Sequence, residues 1–260
     1  MTILEKIIEV KKQELQDIDL HRNIIENIPN FDVLSHFLKP DSIGLIAEFK
    51  RKSPSKGIIN DWSSVSDVAR GYANAGASAM SVLTDEQFFG GHKNDLLAAT
   101  AIATEINLPI LRKEFIVSEL QIKESKLMGV NIILLIAECL TKSQLQEYTI
   151  CAQELGLAVL TELHHHQEID KLYEGTDLIG VNNRNLATFE VSVERSIELL
   201  KDLPQRPLKI AESGIASPQI AAQLLKNGFN GLLIGEYFMK HKNPESACET
   251  FVTEVKNLLK

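Results

Sequence analysis

The stretch Asn131-Ile132-Ile133-Leu134-Leu135-Ile136-Ala137-Glu138 stays apolar from Ile132 to Ala137 before it meets a carboxylate. A strand exposed on one face alternates apolar and polar residues. A strand with no polar position is covered on both faces, as in a parallel sheet. Seven more short apolar or β-branched runs recur: Leu45–Phe49, Ala79–Thr84, Ile110–Phe115, Ala158–Leu163, Leu178–Asn182, Lys209–Ser213 and Gly231–Gly235. Helical periodicity fills the gaps between them. Val65, Val68, Ala69 and Tyr72 are spaced i, i+3, i+4, i+7, and Ile197, Leu199 and Leu200 follow approximately. Gly76, Gly129, Gly156 and Gly228 each precede a run, where a helix C-cap is expected. Eight strand–helix units in 260 residues predict an α/β fold, a (β/α)8 TIM barrel. A doubly wound open sheet is the alternative, but no GxGxxG follows the first run.

The expected organisation is one barrel domain over residues 1–260, with residues 1–44 as an N-terminal helical extension. Thr2–Asp17 reads as an amphipathic helix with Ile3, Ile7 and Val10 on one stripe; Phe31, Leu34, Phe37 and Leu38 suggest a second. Such a cap either plugs the barrel bottom or folds over its top, and both remain open.

Composition excludes several classes. The formal net charge of −8 opposes binding nucleic acid through a basic field, though not a local basic pocket. No apolar run reaches the roughly 18 residues of a membrane span, and residues 1–6 carry acids and lack a signal-peptide core, so a cytoplasmic location is expected. Cys139, Cys151 and Cys248 are odd in number, widely spaced and without a CxxC, and read as reduced packing residues.

In barrels of this kind active sites lie at the C-terminal ends of the strands. Leu45-Ile46-Ala47-Glu48-Phe49-Lys50 turns from apolar to charged, and Glu48 and Lys50, two apart, share a face. The other runs end in Thr84-Asp85, Arg112-Lys113, Glu138, Glu162, Asn182-Asn183-Arg184, Glu212-Ser213-Gly214 and Gly235-Glu236. Any one such end is what solvent at a strand terminus produces. All of them on one rim make a set that is costly unless the groups serve a ligand. Gly214 and Gly235 follow the seventh and eighth runs, where barrels bind phosphate through backbone N–H groups, and Ser53 can add a hydroxyl. The same glycines also suit tight turns that bind nothing.

Several segments, in order, resemble indole-3-glycerol-phosphate synthases nearly end to end. They are Ile46-Ala47-Glu48-Phe49-Lys50-Arg51-Lys52-Ser53-Pro54-Ser55, Ser81-Val82-Leu83-Thr84-Asp85, Leu111-Arg112-Lys113-Glu114-Phe115-Ile116, Gly180-Val181-Asn182-Asn183-Arg184-Asn185-Leu186, Ala211-Glu212-Ser213-Gly214 and Leu233-Ile234-Gly235-Glu236. The resemblance implies a lyase of tryptophan biosynthesis that converts 1-(2-carboxyphenylamino)-1-deoxyribulose 5-phosphate to indole-3-glycerol phosphate, CO2 and water. It implies no metal and no organic cofactor. It makes Lys113 the general acid at the substrate carbonyl and Glu162 the base or relay for dehydration. Glu48 and Asn182 hold the departing hydroxyl, Lys50 pairs with the substrate carboxylate, and Glu212 holds the sugar and the lysines. Ser53, Gly214 and Gly235 take the phosphate, with Phe89, Arg184, Leu186 and Ser213 also binding substrate. Phe115, Leu111 and Ile234 are further candidates for the aryl slot, where core packing explains them equally well. A lysine near other cations and partly desolvated is expected to have a lowered pKa, which suits an acid near neutral pH.

Gly90-Gly91-His92 departs from the Gly-Ser expected there and puts the rigidity of the second loop in doubt. Asn183 replaces a common serine. His164-His165-His166 suggests metal, but adjacent residues at the start of a helix do not converge. The expected partner is an anionic small molecule, without nucleic acid or membrane; a monomer is expected, a dimer remaining open. Other phosphosugar isomerases, a Schiff-base aldolase using Lys50 or Lys113, and a non-catalytic phosphometabolite sensor stand as alternatives. The loop Arg51–Gly57 is expected to be loose without substrate and to order over it.

Overall fold

A computed structural model of the chain describes residues 2–22, 24–25, 31–53, 56–184 and 190–260. Eight parallel strands close into a barrel: β1 Leu45–Phe49, β2 Ala79–Leu83, β3 Ile110–Lys113, β4 Ile132–Ile136, β5 Ala158–Leu163, β6 Leu178–Asn182, β7 Leu208–Glu212 and β8 Gly231–Ile234. Each pairs with its neighbours in sequence, and β1 pairs with both β2 and β8, so no edge is left open. All eight expected runs are strands, with ends differing by a residue or two.

The pleat sorts side chains by parity. Ile46, Ala79, Leu111, Ile132, Leu134, Ile136, Leu160, Leu178, Ile210 and Leu233 fill the barrel interior. Leu45, Ala47, Met80, Val82, Ile133, Leu135, Val159 and Ile179 join the outer core beneath the helices. Helices α3 Val65–Asn74, α4 Lys93–Ile106, α5 Glu119–Leu127, α6 Lys142–Glu154, α7 Val193–Leu200, α8 Pro218–Lys226, the short α9 Glu236–Met239 and α10 Pro244–Leu259 complete the layer. Ser64, Ser118, Thr141, Ser192 and Ser217 cap five of them through backbone N–H groups. Gly76, Gly129, Gly156 and Gly228 all take positive φ, as expected of C-caps. The full α-helix expected after β5 is instead a 3₁₀ segment, His166–Lys171. Glu168 accepts from the His164 and His165 N–H groups at 2.6 and 3.0 Å, which turns the chain tightly. Among the described residues no helix is long and apolar enough to cross a membrane.

The N-terminal segment does both things open to it. α1 (Ile3–Glu14) lies over the C-terminal face. Its Lys11, 1% exposed, reaches Asp85 at 2.8 Å and Glu114 at 3.2 Å, just beyond β2 and β3. Beyond α1 the Ile25 N–H bonds the carbonyl at the end of α5, Leu127, at 2.8 Å. α2 (Val33–Phe37) closes the bottom, with Val33 and Phe37 joining the interior cluster. Leu38, expected on that apolar stripe, is exposed, because the helix ends at Phe37.

Candidate active site

The positions two residues beyond the inner apolar layer carry the site. Ile46 leads to Glu48, Leu111 to Lys113, Leu160 to Glu162 and Ile210 to Glu212. Asn182 shares the parity of Leu178. Each charged group therefore stands on an apolar floor at the barrel mouth. They line one cavity of about 260 Å³, together with Lys50, Ser53, Phe89, Arg184, Ser213, Gly214 and Gly235. Leu186 lies outside the described residues.

Lys113 is the hub. Its Nζ donates to Glu162 Oε2 at 2.7 Å and to Glu212 Oε2 at 2.6 Å. Asn182 Nδ2 donates to the other oxygen of Glu162 at 3.2 Å, and Lys50 Nζ meets Glu48 Oε1 at 2.8 Å. The lowered lysine pKa expected from sequence is corrected. Burial does oppose the ammonium, but Glu162, Glu212 and Glu48 outweigh it and hold Lys113 well above the ordinary lysine value. The two carboxylates share one cation and split in behaviour. Burial, then Glu162, raises Glu212 against the pull of Lys113, up to about 8. Burial opposes ionisation of Glu162 too, but Lys113 and His164 prevail and hold it well below the carboxylate range. Glu162 has Asn182 and His164 beside it and Glu212 has neither, so Glu212 is the partner that keeps a proton.

One wall is aromatic. The rings of Phe89 and Phe115 lie 5.9 Å apart. Asp85 Oδ1 accepts from the N–H groups of Phe88 and Phe89 at 2.8 and 2.9 Å, and Glu114 Oε1 accepts from Phe115 N–H at 2.9 Å. Lys11 neutralises both carboxylates from above. The second loop is tied as well: Gly91 N–H reaches Asp85 O at 2.7 Å, and His92 caps α4. At the opposite end, Ser53 Oγ is buried with no hydrogen-bond partner among the described residues. Gly214 has φ +68, and a Cβ on Gly235 would lie 2.5 Å from Glu48 Oε1. Gly235 thus makes room for the Glu48 carboxylate as much as for a ligand.

Three rim candidates go elsewhere. Leu111 packs in the barrel interior. Arg112 has the outward parity and is buried against Glu124 (2.8 Å) and Ser125 (2.9 Å) under α5. Glu138 has the inward parity, but β4 stops at Ile136 and a 3₁₀ turn, Ala137–Cys139, carries it off the cavity wall. The sequence reading passed over Leu134 and Ile136, which line the cavity and were findable by the same two-residue step. It also passed over Tyr237 and Lys240, which reach the cavity from α9 and left no pattern in the strand ends.

Residues 3–251 match the family model described as indole-3-glycerol phosphate synthase. The chain belongs to the indole-3-glycerol phosphate synthase family. Curated members bearing that name include one from Bacteroides thetaiotaomicron, 40% identical over 95% of this chain and 94% of its own. Another, from Variovorax paradoxus, is 41% identical over 94% and 97%. Membership makes the chain an enzyme, a decarboxylating lyase of tryptophan biosynthesis. Solved structures share the fold of this synthase-family barrel at low identity. A thiamine phosphate pyrophosphorylase from Pyrococcus furiosus superposes with a TM-score of 0.62 at 13% identity, covering 84% of this chain and 98% of its own. A mutant tryptophan synthase alpha-subunit from the same organism gives 0.59 at 17%, covering 82% and 97%. These two speak for the fold alone.

Proposed function

We propose that the chain closes the indole ring of 1-(2-carboxyphenylamino)-1-deoxyribulose 5-phosphate, with Lys113 as the acid. The observation that carries this reading is the ammonium of Lys113 held between Glu162 and Glu212 at the floor of a cavity with an aromatic wall. The phosphate would lie by Ser53, whose buried hydroxyl lacks a partner among the described residues, and by the turns at Gly214 and Gly235. The aryl ring would lie by Phe89 and Phe115, and its carboxylate would take the Lys50 ammonium from Glu48.

Attack of the aryl carbon on the carbonyl builds negative charge on oxygen. An ammonium already aimed by Glu162 and Glu212 stabilises that charge and gives up its proton once the developing alkoxide is the stronger base. Loss of CO2 restores the ring. The hydroxyl then leaves as water, held by Glu48 and Asn182, while Glu162 takes the proton from the adjacent carbon. Family membership disfavours the Schiff-base aldolase reading, and both lysines it would use are held in ion pairs, Lys50 with Glu48 and Lys113 with Glu162 and Glu212. Three free cysteines support a reducing, cytoplasmic setting.

The test is to offer the carboxyphenylamino substrate and follow indole fluorescence. The expected result is product formation without added metal or cofactor; no product at any enzyme concentration would end the proposal.

A further inference from the structure

The run His164-His165-His166 has no part in the reaction as assigned, and its three rings point to different places. His166 is exposed and meets Asp202 at 2.9 Å. The imidazole of His164 has no solvent exposure. Its Nε2 lies 3.0 Å from Glu162 Oε1, the carboxylate beside Lys113, in an ion-pair contact bent away from a regular hydrogen bond. Its Nδ1 lies 3.7 Å from Glu138 Oε2, and the Glu138 side chain is 31% exposed. The ring therefore spans the wall between a carboxylate at the reacting centre and a carboxylate in contact with water.

The charges round the ring are anionic on every side. Glu162 stands on its own strand, Glu138 on the turn after β4, and Glu168 on the 3₁₀ segment below it. Lys113 and Glu212 lie beyond Glu162. Lys171 spends its ammonium on the carbonyls of Ala137 and Leu140, and the ring of His165 is 6.5 Å away. Burial alone would strip the imidazole of its proton; Glu162, Glu168 and Glu138 together raise its pKa instead.

The chemistry creates a need for such a group. Ring closure places one proton on the carbonyl oxygen, and that oxygen takes a second as it leaves as water. The neighbouring carbon returns one proton as the double bond forms, and the ionised carboxylate leaves as CO2 without any. One proton per turnover must enter from water. We propose that His164 carries this proton from Glu138 to Glu162, which passes it to Lys113 to replace the proton given to the carbonyl oxygen, and that as an imidazolium it keeps Glu162 ionised and oriented between turnovers. The inference rests on the assignment of Glu162 as the proton-transferring carboxylate.

The test compares His164→Gln, His164→Ala, Glu138→Gln and Glu162→Gln. Glutamine keeps a donor near the Nε2 position but can neither titrate nor relay. His164→Gln should lower kcat by about tenfold or more with KM changed less than about twofold. The pH profile of kcat should change shape, and the solvent isotope effect should rise. Exogenous imidazole should restore part of the activity of His164→Ala. Glu138→Gln, at a partly exposed position that can fold normally, should raise the isotope effect with a smaller loss. Wild-type kcat and pH profile in His164→Gln, with Glu162→Gln inactive, would overturn the relay alone. A wild-type rate in Glu162→Gln would overturn the underlying assignment. Glu138, His164 and Glu168 also lie within 4.8 Å of one another, a spacing a divalent cation can use. Loss of activity in chelator, restored by zinc, would make the ring a metal ligand and sink the relay.

Discussion

Lys113, in the acid role proposed for it, reverses a common expectation about such lysines. Its proton is not loosened by neighbouring cations; it is held by Glu162 and Glu212, and the substrate's developing alkoxide must be the stronger base. Lys113→Met should lower kcat by about 10²-fold or more while KM moves little, read from steady-state kinetics. Glu212 gives a pH test with a definite sign. Its folded pKa is raised to about 8 from an ordinary 4.5, so the folded protein holds a proton that the unfolded chain has released. The resulting loss of stability is absent below the ordinary value, accumulates as pH rises between the two and is complete above about 8. Glu212→Gln should therefore gain stability over wild type at pH 9 and gain least at pH 5, by denaturant unfolding at both. The candidate site positions were legible because strand parity is a strict rule: Ile46 to Glu48 and Leu111 to Lys113 are each one step along one face. The titration of Lys113 was not legible, since it depends on carboxylates 49 and 99 residues away in sequence.

Elements were legible where one local pattern governs them and illegible where two compete. All eight strands declared themselves by short apolar or β-branched runs. Glu138 did not, because a 3₁₀ turn overrides the parity of β4. α1 showed its apolar stripe but hid its key residue: a lysine on an amphipathic helix reads as solvated until its partners, Asp85 and Glu114, are known. Lys11→Met would take from these two buried carboxylates the cation they share, leaving Asp85 with backbone N–H donors and Glu114 with Thr84 and a longer contact to Arg112 (4.0 Å), at a cost of about 3 kcal/mol in denaturant unfolding. The loosened Phe89–Phe115 wall should raise KM more than it lowers kcat, and Lys11→Arg should recover part of both. The first loop is anchored at its stem. Arg51 makes a two-point pair with Asp95 at 2.7 and 2.9 Å and its carbonyl accepts from Ile59 and Asn60, while Pro54 and Ser55 lie outside the described residues. We propose that closure is confined to the hairpin of Lys52–Ser53 and Gly57–Ile58. Hydrogen exchange should show new protection at residues 52–58 when a substrate analogue binds, with Ile59 and Asn60 protected in both states. Equal protection of the hairpin with and without analogue would remove the lid.

At the scale of the whole molecule, we propose that residues 1–44 and the barrel behave as one cooperative unit, because α1 and α2 are tied to opposite faces of the same barrel. Trp62 is the single tryptophan, and its indole N–H reaches the Lys242 carbonyl at 3.5 Å, joining the first loop to the segment before α10. Its fluorescence and the far-ultraviolet dichroism should report one coincident unfolding transition; two separated transitions would divide the chain. The strap that runs from α1 down to α2 has a further consequence for synthesis on the ribosome. Residues of α1 leave the ribosome before the residues they dock on. Lys11 must wait for Asp85 and Glu114, and Ile25 for Leu127, before either has a docking partner. The opening helix is thus made first and seated only after three strands of the barrel have appeared. Until then its apolar stripe and its lysine are held in the nascent chain as an unfilled contact, and the catalytic face of the barrel is assembled uncovered.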